Sequence, residues 1–243
     1  MTIPTAAMLT IGDEILSGRT RDANMPLLAL ALGEKGISLR EARVVPDVAE
    51  EIVAAVNALR ARYDHVFTSG GIGPTHDDIT ADCIAAAFGV GIDVREDARA
   101  ILATNYANPA VDLNAARLRM ARIPDGATLI DNPVSKAPGF TIGNVHVMAG
   151  VPAVFEAMVA GLLPKLTGGQ PLLSGTVQVL RGEGIIAGPL GEIAREHPEV
   201  SIGCYPFNRG GVFGANLVAR SVDAAALADA LAALESLKVS VGG

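Results

Sequence analysis

Thr68-Ser69-Gly70-Gly71-Ile72-Gly73-Pro74-Thr75-His76-Asp77-Asp78-Ile79-Thr80 is the stretch that decides how the chain folds. It follows a short apolar run, His65 to Thr68, and precedes a helical pattern from about Asp77 to Phe88. It therefore joins the carboxyl end of a strand to the start of a helix. Three glycines in four positions let the backbone approach a bulky anion and aim successive N–H groups at it. The helix adds the positive end of its dipole, and Ser69, Thr75 and Thr80 add hydroxyl donors. The same residues also suit a tight turn in which Thr75 or Asp77 merely caps the helix. Asp77 and Asp78 favour the first reading, because carboxylates in an anion cradle repel phosphate unless a divalent cation bridges them. The stretch predicts a metal-assisted phosphate site.

Working outward, strand and helix patterns alternate. Ala6 to Ile11 reads as a strand, Ala23 to Lys35 as a helix ended by Gly36, and Ile37 to Val45 as a strand. Val48, Ile52, Val56 and Leu59 mark one face of the next helix, begun by a capping-box-like Asp47 and Glu50. Such alternation implies parallel strands with crossover helices. Arg95 to Arg122 reads as helical and outside the sheet. Thr128 to Ile130, Gly139 to Ile142 and Val145 to Met148 read as three more strands, closed by a helix from Pro152 to Leu166. The expected fold is a three-layer α/β/α, mostly parallel sheet over residues 1–168, with a small α+β domain over 169–243. Thr167 to Pro171 is the linker. The small domain shows strand Leu173 to Arg181, helix Leu190 to Glu196, strands Val200 to Tyr205 and Val212 to Arg220, and helix Ala224 to Leu237. That order suits a KH- or ferredoxin-like split sandwich, without the basic Gly-x-x-Gly loop of an RNA-binding KH module.

A second candidate segment, Thr10 to Gly18, follows the first strand. Parallel sheets place ligands outside their strand carboxyl ends, so Gly12, Asp13 and Glu14 should open onto the same edge as the glycine loop. Asp47 also ends a strand, and Asp13, Asp47 and Asp78 are expected to converge. As solvated turn acids, Asp13 and Glu14 would have no such role. A third segment, Asn132 to Phe140 with Ala149 to Pro152 beyond it, offers Lys136 and a helix start at Gly150 and Pro152 for a second phosphate. Lys136 reads equally as a solvated loop lysine. His65 and His146 read as structural histidines, and His76 in the loop is the histidine to watch.

Composition narrows the classes. The chain has 243 residues, of which half are hydrophobic, and its 19 basic and 26 acidic side chains leave a net charge of −7. That excludes disorder, and the absence of a basic block or of tryptophan argues against a nucleic-acid partner. Two cysteines, Cys83 and Cys204, are too few for a disulfide framework and suit a reducing cytoplasm. No signal-peptide pattern opens the chain. The apolar span Val145 to Leu163 is broken by His146, Gly150, Pro152 and Glu156, so it reads as strand, turn and helix rather than a membrane span.

Five ordered segments together resemble the molybdopterin-binding MoaB/Mog family, in the branch found at the N-terminus of the competence/damage-inducible CinA proteins. They are Gly12 to Gly18 with Asn24, Val45-Pro46-Asp47, Gly70 to Thr80, Asn132-Pro133 with Pro138 to Phe140, and Gly150-Val151-Pro152. The resemblance runs over about residues 4–166, and the tail is similar to the KH-like subdomain that follows in CinA-type chains. It implies a pterin or nucleotide phosphate over the glycine loop. Gly12, Asp13, Glu14, Asn24, Ser69, Gly70, Gly71, Gly73, Pro74, Thr75, Thr80, Lys136, Gly150 and Pro152 would bind it. In Mog-type members the acids matching Asp47 and Asp78 serve molybdopterin adenylylation; CinA-like members are credited with metal-dependent hydrolysis of ADP-ribose. A related domain fused to FAD synthase is credited with hydrolysing FAD.

The departures from the Mog pattern matter. Ile72 stands where Mog-type proteins have threonine, Asp77 where they have arginine, and Ala149 to Ala153 lacks the lysine of the molybdenum-insertion proteins. These changes favour a metal-bound diphosphate over molybdopterin. The expected activity is a cytoplasmic, metal-dependent pyrophosphatase on ADP-ribose or a related dinucleotide. Asp78 would hold the metal (magnesium, manganese or cobalt) or orient the attacking water, with Asp47 assisting. Molybdopterin binding or adenylyl transfer is the alternative, and a non-catalytic nucleotide-sensing module a third. The family implies a homo-oligomer, dimer or trimer. No CinA-type deamidase domain is expected.

Overall fold

The computed structural model describes residues 3–242. Its contacts divide it into two units, 1–169 and 170–243. In chain order the first unit runs β1 (Thr5–Ile11), α1 (Asp13–Leu16), α2 (Asn24–Glu34), β2 (Ser38–Val45), α3 (Ala49–Arg60), β3 (His65–Ser69), α4 (Thr80–Phe88), β4 (Ile92–Val94), α5 (Glu96–Ala103), α6 (Pro109–Asp112), α7 (Ala115–Leu118), β5 (Arg122–Pro124), β6 (Thr128–Ile130), β7 (Gly139–Ile142), β8 (Val145–Met148) and α8 (Pro152–Leu162). Six strands form one sheet in the order β2-β1-β3-β8-β7-β6. The first four are parallel, and β7 and β6 are antiparallel additions.

Alternation along β1 explains why its sequence is apolar from Ala6 to Leu9 and again at Ile11. Ala7, Leu9 and Ile11 join a core with Ile52, Val56 and Ile84 of α3 and α4. Ala6 and Met8 join another with Leu28 of α2 and Phe155 of α8. Side chains two apart share a face, so a strand covered on both faces needs no polar position. The sheet is the middle of three layers, as expected.

Several boundaries differ from the sequence reading. Helix α4 begins at Thr80 rather than Asp77, because Asp78 is held in a turn by its N–H to the Thr75 carbonyl, 3.3 Å. Arg95 to Arg122 is not one helix; it breaks into α5, α6, α7 and a 3₁₀ turn. The three-residue strands β4 and β5 pair antiparallel beside it, too short for their periodicity to be legible.

The second unit runs β9 (Leu173–Val179), α9 (Glu183–Glu196), β10 (Ser201–Arg209), β11 (Val212–Ser221) and α10 (Ala224–Ser240), with an antiparallel sheet ordered β10-β11-β9. Helix α9 starts seven residues before the expected Leu190, despite Gly184, Gly188 and Pro189. Those residues weaken intrinsic helicity, but Ile186, fully buried in the sheet's core, anchors the early turns. Among the described residues no helix is long and apolar enough to cross a membrane.

Candidate functional site

The glycine loop leaves β3 at the carboxyl edge of the sheet. Gly70 and Gly71 have φ of +108° and +68°, a region closed to most L-residues. A side chain at Gly70 would overlap the Ile11 carbonyl, and one at Gly71 the Thr80 hydroxyl. Thr80 is the loop's strut: its Oγ donates to the Gly70 carbonyl at 3.0 Å, and its N–H to the Gly71 carbonyl at 3.0 Å. It is completely buried, so it supports the loop instead of offering a hydroxyl to an anion. Among the described residues the amides of Gly71, Ile72 and Gly73 have no acceptor within the chain, leaving them for a ligand.

Asp78 folds back into this loop. Its Oδ2 accepts from the Thr75 N–H at 2.8 Å and from the Thr75 hydroxyl. Oδ2 is thereby spent on bracing the loop, and among the described residues Oδ1 has no donor. The guanidinium of Arg119, which the sequence did not single out, donates to the Asp78 carbonyl at 3.0 Å.

A cleft of about 410 Å³ opens over the loop. Its polar wall holds Gly70, Gly71, Gly73, Asp78 and Glu14, with Gly150 at the start of α8. Its apolar wall is Ile72, Pro74, Met120, Val151 and Val154. Asn132 and Ser135 close one side. Asn132 is fully buried and locks its own loop, donating to Ser135 Oγ at 2.7 Å and the Ala137 carbonyl at 2.8 Å. Lys136, at φ +59° in that loop, does not line the cleft.

Asn24, Ser69 and Pro152 line a smaller pocket beside it, and Glu14, Gly70 and Gly150 line both. Asn24 donates to Ser69 Oγ at 2.7 Å and to the Gly150 carbonyl at 2.8 Å, tying α2 to the ends of β3 and β8.

The expected convergence of Asp13, Asp47 and Asp78 takes a different form. Asp47 accepts the Asp13 N–H at 3.0 Å, fixing the turn that carries Gly12 and Glu14. Partial burial raises the Asp47 carboxyl above its ordinary range, with the charges of Asp13, Glu14 and Asp77 adding to the rise. Asp78 stands apart from that group, on the cleft wall with Glu14. Asp77 is exposed. His76 is almost fully exposed beside Asp77.

Among the described residues no three histidine, cysteine or acidic side chains form a ready metal cage. The cleft nevertheless suits a substrate-borne cation. Two carboxylates, Glu14 and Asp78, line it, and among the described residues no Lys or Arg does, although Arg119 and Arg122 line the adjoining hollow beside Gly71, Gly73 and Asp78. Magnesium is commonly held by one or two carboxylates, with phosphate and water completing its shell.

The family described as "Probable molybdopterin binding domain" matches residues 7–168, and that described as "FAD synthase, middle domain" matches residues 171–239. A protein of Pyrobaculum calidifontis is 38% identical over 214 residues, covering 84% of this chain and 81% of its own length. A "CinA-like protein" of Citrifermentans bemidjiense is 38% identical over 167 residues, which are 67% of this chain and 40% of that protein. The crystal structure of CinA from Thermoplasma acidophilum, described as of unknown function, matches with a TM-score of 0.63 at 35% identity, covering 67% of this chain and 98% of that one.

Proposed function

Because the chain belongs to the family of probable molybdopterin binding domains, in its CinA-like branch, we propose that the cleft binds a nucleoside diphosphate compound of the ADP-ribose type and hydrolyses its phosphoanhydride bond. One observation carries this reading. Unpaired loop amides suited to a phosphate are flanked by Glu14 and Asp78, while Arg119 and Arg122 line an adjoining hollow rather than the cleft itself. A cleft that only bound an anion would be expected to carry a lysine or arginine.

Glu14 and Asp78 would hold a divalent cation brought with the substrate. When bound, that cation supplies charge neutralisation on the phosphate oxygens. The amides of Gly71, Ile72 and Gly73 take the charge that develops on phosphorus-bound oxygen. Asp78, with Oδ2 fixed by Thr75, has Oδ1 free either to hold that cation or, where Glu14 alone holds it, to orient the attacking water and accept its proton. Asp47 acts at one remove, holding the Asp13 turn so that Glu14 faces the cleft. The apolar wall of Ile72, Met120 and Val154 suits the face of a heterocycle.

The test is incubation with ADP-ribose, FAD or NAD and magnesium, manganese or cobalt in turn, scored by release of AMP. AMP from at least one substrate, dependent on metal, is expected. No AMP from any combination would reject the hydrolase. A second reading, molybdopterin binding, is favoured by the family itself and by the apolar wall. Tight molybdopterin binding without hydrolysis would establish it instead.

A further inference from the structure

The smaller pocket beside the cleft has a lining that the phosphate reading leaves unused. It holds about 60 Å³, room for a few water-sized groups and far below the roughly 300–1,000 Å³ of a whole small-molecule site. Asn24, on its wall, is only 4% exposed. Its amide nitrogen is committed to Ser69 and Gly150, while its carbonyl Oδ1 has no partner at all. A buried acceptor left without a donor costs about 1–3 kcal/mol. Glu14 brings a carboxylate with no ion pair to the same pocket, and Asp22 brings another, already accepting from the Asn24 and Thr10 side. The basic residue on the wall, Arg21, is exposed. The inner lining thus asks for hydrogen-bond donors and repels an anion.

We infer that this pocket is a subsite for the hydroxyl groups of the ribose esterified to the bound phosphate, with Asn24 and Glu14 as acceptors. The inference rests on the phosphate reading of the glycine loop. Gly70 and Gly150 belong to both the cleft and the pocket, so a group entering the pocket is the next one along from a phosphate on the loop. In a nucleotide that group is the sugar. Ribose offers two vicinal donors in a volume this small, whereas a base or pterin ring does not fit. Acidic side chains accept from ribose hydroxyls in other nucleotide sites.

The experiment measures dissociation constants for ADP, 2′-deoxy-ADP, 3′-deoxy-ADP and inorganic pyrophosphate on the full chain with magnesium. ADP should bind on the order of tenfold or more tightly than at least one deoxy analogue, the scale of one hydrogen bond to a charged or buried acceptor. Asn24→Ala should bring that ratio towards one, and because the ratio is taken within the variant, any loss of phosphate affinity from freeing Ser69 and Gly150 cancels from it. If that variant does not fold, the ratio in the parent chain decides. Equal affinity for ADP and both deoxy analogues overturns the subsite and leaves the phosphate site standing. Failure of every ligand to bind, pyrophosphate included, overturns both.

Discussion

Strands β3 and β8 carry buried polar groups at both ends, and the two ends treat them differently. In the amino-terminal half, His65 Nδ1 and His146 Nε2 lie 3.1 Å apart, and His146 Nδ1 meets Thr141 Oγ at 2.9 Å. The two rings stack, and Phe67 packs 4.9 Å from His146. Every inner nitrogen has a partner within the fold. At the carboxyl edge the amides of Gly71, Ile72 and Gly73, Oδ1 of Asp78 and Oδ1 of Asn24 have none among the described residues, and carboxylates crowd one another around Asp47. Satisfied polar groups stabilise a core. Unsatisfied ones are tolerated where a ligand completes them. The histidine pair is structure, and the acid edge is a site.

The sharpest way to break this contrast is Asp78→Asn. Asn still accepts from the Thr75 amide and caps as well as Asp, so thermal stability should change little. AMP release should fall by about a hundredfold or more, the scale of losing one key electrostatic group. Asp77→Asn, at an exposed position, should cost far less. Turnover that survives the first change and vanishes with the second would exchange their roles.

The histidine end should respond in the opposite sense, through stability and not through activity. Burial pushes His146 down to about 3, and His65 is also lowered by burial. Between an ordinary histidine pKa near 6.5 and the depressed value, the unfolded chain binds a proton that the folded chain refuses. Stability is therefore present at neutral pH and lost on acidification, by up to about 1.4 kcal/mol per pH unit for His146. Urea unfolding at pH 6.5 and pH 5 should differ by about 2 kcal/mol from this source. His146→Gln should flatten that slope. An unchanged slope would mean the pair is not the titrating element.

Gly71→Ala probes the loop itself. At φ +68°, with Thr80 Oγ in the way, alanine should cost about 1–2 kcal/mol of stability. It should also weaken pyrophosphate binding, because the loop amides move. Full affinity in a folded variant would reduce the loop to an ordinary turn.

How much of this was legible beforehand follows the same divide. Strand β1 announced itself because Ala6 to Leu9 is apolar on both faces, whereas β2, at the sheet edge, carries Arg40, Glu41 and Arg43 and was legible from the strand–helix alternation around it. The glycine loop was legible because three glycines have few other uses. Thr80 reads from the sequence as an anion donor and proves a strut, because its partners, Gly70 and Gly71, lie ten and nine residues back. Met120 and Arg119 reach the loop from the broken helical segment after α5, a contact made only in three dimensions. Helix α9 was cut short in the reading because propensity counted its glycines and could not count the burial of Ile186.

The smallest expected effect is also the most diagnostic of the acid edge. Asp47 is ionised at neutral pH against burial and against Asp13, Glu14 and Asp77. Its folded-state carboxyl binds a proton more readily than the unfolded one, so its charge costs stability at pH 7 and the cost disappears as the group protonates. Asn at this position keeps the acceptor for the Asp13 N–H and removes the charge. Asp47→Asn should therefore raise stability at pH 7, by a few tenths of a kcal/mol because the group is partly exposed and solvent screens it. The gap between variant and parent should shrink on acidification through the carboxylate range. Paired unfolding curves at pH 7 and pH 4 measure both values. A variant less stable than its parent at pH 7 would mean that a partner compensates the charge, and the carboxyl edge would then be as satisfied as the histidine end.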